Sequence, residues 1–262
     1  MRRRVVAIAV VILVIGAYEF YLHGRSIWVP VLRRFTGERS VADVVAKYGP
    51  DARQRLAPDF KKAGVAYPPA RIALLVLKRE RRVSLWAADG SQQWRWIRSY
   101  PILAASGTTG PKLREGDNQV PEGLYRLEEL NPNSNYHLSM RVGYPNAVDR
   151  AQAAHDGRTR LGGDIMIHGR NVSIGCIAVG DPGIEDLFVT VATIGLRNVK
   201  VIIAPNDLRV SGAPVEANTP LWIVRLWQSI AAAMREFPVA QEADASVDVR
   251  AMPKLWRVFK DH

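Results

Sequence analysis

The sequence predicts an α+β fold, mostly β with flanking helices, behind an N-terminal apolar helix. Three observations carry that reading. From Arg71 onward, short apolar or alternating runs succeed one another between turn residues, as antiparallel strands do. Helical periodicity is sparse through the middle of the chain. Behind the leading MRRR, residues 5–18 carry no charge.

Residues 1–23 form the first unit. The uncharged run from Val5 to Tyr18 is short for a spanning helix and long enough for a signal-peptide core. Continued through Leu22, it rises about 27 Å, close to the hydrocarbon thickness of a bilayer, with Glu19 near the far interface. No A-x-A cleavage pattern follows, and Tyr18, Tyr21 and Trp28 suit an interfacial belt. The expectation is an uncleaved single-pass anchor through residues 5–22. The arginines keep its start in the cytoplasm, so the remainder faces the periplasm or cell wall.

Residues 24–70 read as a linker with short helices. Ser40 caps one through Val41, Val44, Val45 and Tyr48, Gly49–Pro50 ends it, and a second runs from Asp51 to Lys62. Residues 71–206 hold the strands. These are Ile72–Leu77, Arg81–Ala87, Trp94–Tyr100, Ile102–Ser106, Gly123–Glu128, Tyr136–Val142, Asp164–His168 and Val199–Ala204, with a hairpin signal at Asp89–Gly90. Asp181 is placed to cap a helix with Pro182 at its first position, and Ile184, Leu187, Phe188 and Val191 share one face. Residues 207–262 read as a C-terminal helical extension, with a helix from Thr219 through Trp222, Leu226, Ile230 and Met234.

Composition narrows the function. The net charge of +11 favours anionic partners. No zinc-finger spacing or RNP-like stretch points to nucleic acid. Five scattered histidines, with no HExxH or CxxC, give no metal site, and no cofactor motif appears. The single cysteine, Cys176, excludes an intramolecular disulfide.

Cys176 lies eight residues after His168, across a polar turn. An imidazole beside a thiol can take its proton and make it a nucleophile. Gly175 leaves room for a carbonyl, and backbone N–H groups at Gly175 and Cys176 could hold an oxyanion. The plainer reading of a lone cysteine is a small buried hydrophobe, and on spacing alone the two readings stand about level.

The stretch His168–Gly169, then Ser173–Ile174–Gly175–Cys176, resembles the L,D-transpeptidase (YkuD) family, whose motif ends in Ser-x-Gly-Cys after an upstream His-Gly. The likeness extends to Ser106–Gly107, Lys112–Leu113–Arg114–Glu115–Gly116–Asp117 and Val120–Pro121–Glu122–Gly123–Leu124–Tyr125. Asn131–Pro132–Asn133–Ser134 and Gly143–Tyr144–Pro145–Asn146 look like the YafK-like murein L,D-transpeptidase subgroup. Two departures stand out. Many members carry an arginine two residues after the cysteine, where this chain has Ala178, so that role is either unfilled or moved to Arg170 or Arg158. The interval from histidine to cysteine is also short.

The resemblance implies a YkuD-type, β-sandwich-like catalytic domain with Cys176 as nucleophile, His168 as proton donor and acceptor, and Gly175 in the oxyanion hole. It implies substrate contacts from Ser173, Gly169, Arg170, Tyr144 and Asn146, although turn formation is the plainer reading of Asn146. Its substrates would be peptidoglycan stem peptides, attacked at a diamino acid through a thioester. Hydrolysis at the same bond, including a link to a wall-bound lipoprotein, is the alternative outcome. A non-catalytic wall-binding tether is an alternative of another class. The discriminating expectation is that an enzyme has a low thiol pKa and a tether an inert thiol.

Overall fold

The computed structural model describes residues 2–90, 93–171 and 175–239. Among the described residues, nine strands form two sheets. The first has the order β3-β2-β1-β9-β4, from β1 (Arg71–Leu77), β2 (Arg82–Ala88), β3 (Arg95–Pro101), β4 (Gly123–Tyr125) and β9 (Val199–Ala204). The second has the order β5-β6-β7-β8, from β5 (Leu127–Asn131), β6 (Ser139–Val142), β7 (Met166–His168) and β8 (Ile177–Ala178).

The all-apolar β1 has a simple cause. It lies mid-sheet, antiparallel to β2 and parallel to β9, and is covered on both faces. Alternation sends Ile72, Leu74 and Val76 into the core shared with the second sheet. Ala73, Leu75 and Leu77 go to an opposite core with Trp86, Trp94 and Phe237. Helix α6 (Leu221–Met234) closes that outer core with Trp227, Ile230 and Met234. Trp227 also donates its indole N–H to the buried Glu122 carboxylate at 2.7 Å.

The strands expected at Ile102–Ser106 and Gly123–Glu128 differ from those observed. The former reduces to one bridge, Ala104 to Ala178. The latter divides between β4 and β5, which serve different sheets. The residues after Val239 lie outside the described part.

The segment after the N-terminal helices is more than a linker. Helix α3 (Val41–Ala63) runs without interruption through Gly49–Pro50. A residue before proline avoids the helical region partly because its Cβ meets the proline ring, and Gly49 has no Cβ. Ser40 caps α3 as predicted, in a reciprocal box with Asp43. Leu56 and Phe60 enter the main core. Helix α5 (Gly180–Ile194) lies against α3, and Asp186 on α5 accepts from Arg55 at 2.8 Å and Tyr100 at 3.3 Å, with Arg98 at 3.4 Å. Burial pushes the Asp186 carboxyl up despite these partners.

Helix α1 (Arg2–His23) forms where the apolar run predicts it, followed by α2 (Arg25–Thr36). Among the described residues, however, no helix is long and apolar enough to cross a membrane. The expected single-pass anchor is therefore not supported. Its uncharged run stops at Glu19 after 14 residues. That run rises only about 21 Å, against a hydrocarbon core of roughly 30 Å.

A chain beginning at Gly37 should fold, whereas one beginning at Arg71 should lose cooperative melting, because α3 completes the core. Leu56→Ala should cost about 2–5 kcal/mol in urea unfolding. A cooperative transition in the Arg71 chain would show that α3 is dispensable.

Candidate active site

Period-two alternation builds the site. Along the segment through β7, Ile165 and Ile167 point into the core, while Asp164, Met166 and His168 line a cavity of about 220 Å³. Strand β8 pairs with β7 in parallel, Ile167 with Ile177 and His168 with Ala178. Ile177 enters the core, so Cys176 before it opens onto the same cavity as His168. Ser134, Tyr136 and Ser139 complete the lining.

His168 is 2% exposed. Its Nδ1 lies 2.6 Å from the Gly169 carbonyl. A carbonyl only accepts, so Nδ1 carries the hydrogen and Nε2 is the basic nitrogen. The Tyr136 ring lies 4.9 Å from the imidazole, centroid to centroid. Burial pushes the His168 pKa below the usual histidine value, and the Gly169 carbonyl only partly offsets this.

The Cys176 thiol donates to the Asp164 carbonyl at 3.6 Å. Burial pushes its pKa up. The Met166 backbone N–H and the Lys112 ammonium pull it down without prevailing, and the Asp164 carboxylate adds to the rise. The low thiol pKa expected of an enzyme is thus absent, and on that criterion alone the thiol reads as inert; what favours chemistry here is the cavity it shares with His168. Neutral thiol and neutral imidazole face one cavity.

The loop before the thiol is pinned from outside. Ser106 accepts from the Gly175 N–H and donates to the Asn118 carbonyl at 2.8 Å. Gly175 has φ +82°, a conformation suited to glycine. Its N–H is engaged by Ser106 and does not fill the oxyanion role in this arrangement. Asp117 organises the neighbouring loop, accepting from Lys112 Nζ at 2.6 Å and from the Leu113, Arg114 and Gln119 N–H groups. Burial raises the Asp117 carboxyl, but these donors outweigh it and hold the pKa below the ordinary value.

The other expected residues disperse. Ser173 lies outside the described residues. Gly169 packs tightly, since a Cβ there would stand 2.7 Å from Asp181 Oδ1 and 2.8 Å from the Tyr136 carbonyl. Arg170 turns to Asp181, its N–H at 2.8 Å from Oδ1 and its guanidinium at 3.3 Å from Oδ2. Asp181 thereby ties the histidine turn to the first turn of α5, and it is not the helix cap, a position held by Val179. Tyr144 is buried, with its hydroxyl donating to the Lys112 carbonyl at 3.3 Å. Asn146 caps α4 (Ala147–His155). Arg158 donates to the Leu113 carbonyl. Arg170, Tyr144, Asn146 and Arg158 all lie outside the lining of the thiol cavity. Ala178 is fully buried and bridged to Ala104, so an arginine would not fit at this position. Ser106, Tyr136, Ser139 and Asp181 were missed as site residues because their partners lie on distant segments. Among the described residues no cluster of three or more metal-ligating side chains occurs.

Two sheets that bring a lone thiol and a tautomer-fixed imidazole to one cavity define a domain with the groups for cysteine acyl chemistry. Residues 71–216 match the YkuD L,D-transpeptidase catalytic domain, and the chain belongs to that family. It is 39% identical over 139 residues to YafK of Escherichia coli (strain K12), a curated protein named as an inferred L,D-transpeptidase. That alignment covers 51% of this chain and 54% of YafK, so the chain spans about half the length of the curated relatives it matches. Among solved structures, the helical cell shape determining protein Pgp2 from Campylobacter jejuni aligns at a TM-score of 0.43 and 23% identity, covering 52% of this chain and 48% of Pgp2. Bdellovibrio bacteriovorus Bd1075 aligns at 0.37 and 22%, covering 63% and 56%. At these scores neither adds to the assignment.

Gly169→Ala should disturb the histidine turn through the Tyr136 and Asp181 contacts. The expected outcome is a loss of thiol reactivity toward an acylating probe of at least about tenfold, with a melting temperature lowered by only a few degrees. Unchanged reactivity would show that this close packing does not position His168.

Proposed function

We propose that the protein is a peptidoglycan-modifying cysteine acyl transferase that works through a thioester on the diamino acid of a stem peptide. The observation carrying this reading is the shared cavity of Cys176 and His168, with the imidazole tautomer set by the Gly169 carbonyl. Family membership supports peptidoglycan as the substrate.

In the first step Cys176 Sγ attacks the carbonyl carbon of the third stem residue, and its proton passes to His168 Nε2. With the Gly175 N–H engaged by Ser106, the Cys176 backbone N–H holds the developing oxyanion. The tetrahedral intermediate collapses, the bond to the terminal D-alanine nitrogen breaks, and that amine leaves with the proton from Nε2. An amine of a second stem then attacks the thioester, the C–S bond breaks, and the thiol regains its proton through His168. Water in place of the amine gives hydrolysis, including release of a wall-bound lipoprotein. The substrate's location supports a site of action on the wall side of the cytoplasmic membrane.

The protonation states define the pH behaviour. His168 must be neutral to accept the thiol proton, and its pKa is depressed. The acid limb of kcat/KM should therefore fall below the ordinary histidine value of about 6.5. The thiol is raised, so in the free protein alkylation by iodoacetamide should be slow at neutral pH and still climbing above about pH 9. Fast alkylation at pH 6 would instead demonstrate a resting thiolate–imidazolium pair.

The decisive assay is mass analysis of muropeptides after incubation with wild type and Cys176→Ala, offering tetrapeptide monomers and lipoprotein-linked fragments. Crosslinks with loss of D-alanine, absent from the variant, establish transpeptidation. Shortened peptides without crosslinks establish hydrolysis. Full activity in Cys176→Ala would sink the mechanism.

A further inference from the structure

A second cavity shares no lining residue with the thiol cavity and is larger, at about 690 Å³. Five cations line it from five separate elements: Arg71 at the start of β1, Arg126 between β4 and β5, Arg150 on α4, Arg197 before β9, and Lys200 on β9. Two carboxylates also reach it, but both are paired. Glu236 holds Lys200 at 2.8 Å, and Glu128 lies 3.9 Å from Arg141. Arg126, Arg150 and Arg197 are exposed and form no ion pair among the described residues. The described hydrogen bonds of these three go to backbone carbonyls, Arg126 to Arg197 and Arg150 to Pro145.

A run of like charge on one helix is ordinarily a solvated face. Here the fold gathers like charges from distant segments onto the walls of one concavity, where five cations outnumber two carboxylates and their mutual repulsion is only partly offset. An anionic occupant would relieve it. The volume is that of a multi-atom ligand and far exceeds one phosphate. The concave shape suits a chain better than a flat bilayer, whose headgroups would reach only its rim.

We infer that this cleft binds a segment of anionic wall polymer, a peptidoglycan strand held through its stem-peptide carboxylates, away from the reacting thiol. The choice of polymer rests on the proposed function. The cleft would hold the insoluble substrate while the thiol cavity works on a separate stem, so its loss should weaken attachment without altering chemistry on small soluble substrates.

The test is sedimentation of the full chain with isolated peptidoglycan sacculi, in the Cys176→Ala background so that turnover does not alter the polymer. Vesicles containing phosphatidylglycerol run in parallel. The parent should pellet with sacculi and be released by high salt. Arg126→Glu/Arg150→Glu/Arg197→Glu should lose roughly tenfold or more in apparent affinity. With Cys176 restored, the same triple variant should process soluble tetrapeptide at the wild-type rate. Should the triple variant fail to fold, Arg126→Gln and Arg197→Gln, checked for unchanged melting temperature, should each show partial loss. Undiminished pelleting of the folded variants overturns the inference. So does absence of parental pelleting, or a parent that prefers the anionic vesicles. A wild type inert toward soluble tetrapeptide, with cleft-dependent pelleting intact, would remove the catalytic reading and leave this one standing.

Discussion

The parallel pairing of β7 with β8 is the constraint on which the site depends. These two short strands set Ile167 level with Ile177 and His168 level with Ala178. Once both isoleucines are buried, alternation leaves the imidazole and thiol to open onto one cavity. The cores on either side of that pairing act as a positioning device. Slipping β8 by one residue would exchange Cys176 with Ile177, burying the thiol and exposing an isoleucine.

Around that pair, the supporting contacts come from the backbone as much as from side chains. The Gly169 carbonyl fixes which imidazole nitrogen is basic. Ser106 holds the Gly175 N–H, and Asp181 holds the Arg170 N–H at the far side of the histidine turn. The turn is thus tied to α5, the thiol loop to the Ser106–Gln119 segment, and α5 in turn to α3 through Asp186. Burial disfavours the charged forms of both the thiol and the imidazole, so in the proposed mechanism the proton moves during attack.

Charge is distributed to a different end. The basic composition is partly consumed in structural pairs such as Arg55 and Arg98 with Asp186, and Lys112 with Asp117. Three arginines outside such pairs converge on the large cleft. The excess of +11 is therefore organised locally as well as spread over the surface.

The sequence by itself determined strands β1, β2, β3 and β9 of the first sheet, the Ser40 cap, and the family motif that holds His168 and Cys176, because each is written in local periodicity or in a short motif. Ile72–Leu77 and Val199–Ala204 could hardly be anything but buried strands, and His168 and Cys176 stand in one compact stretch. Tertiary structure decided what depends on partners remote along the chain. Helix α3 passes through Gly49–Pro50 because α5 and the core stabilise it. Arg170 is directed to Asp181, and the Gly175 N–H meets a serine 69 residues away. The raised thiol pKa belongs to the same group. Periodicity records which face a residue presents, whereas desolvation and hydrogen-bond competition are set by whatever the rest of the fold places against that face.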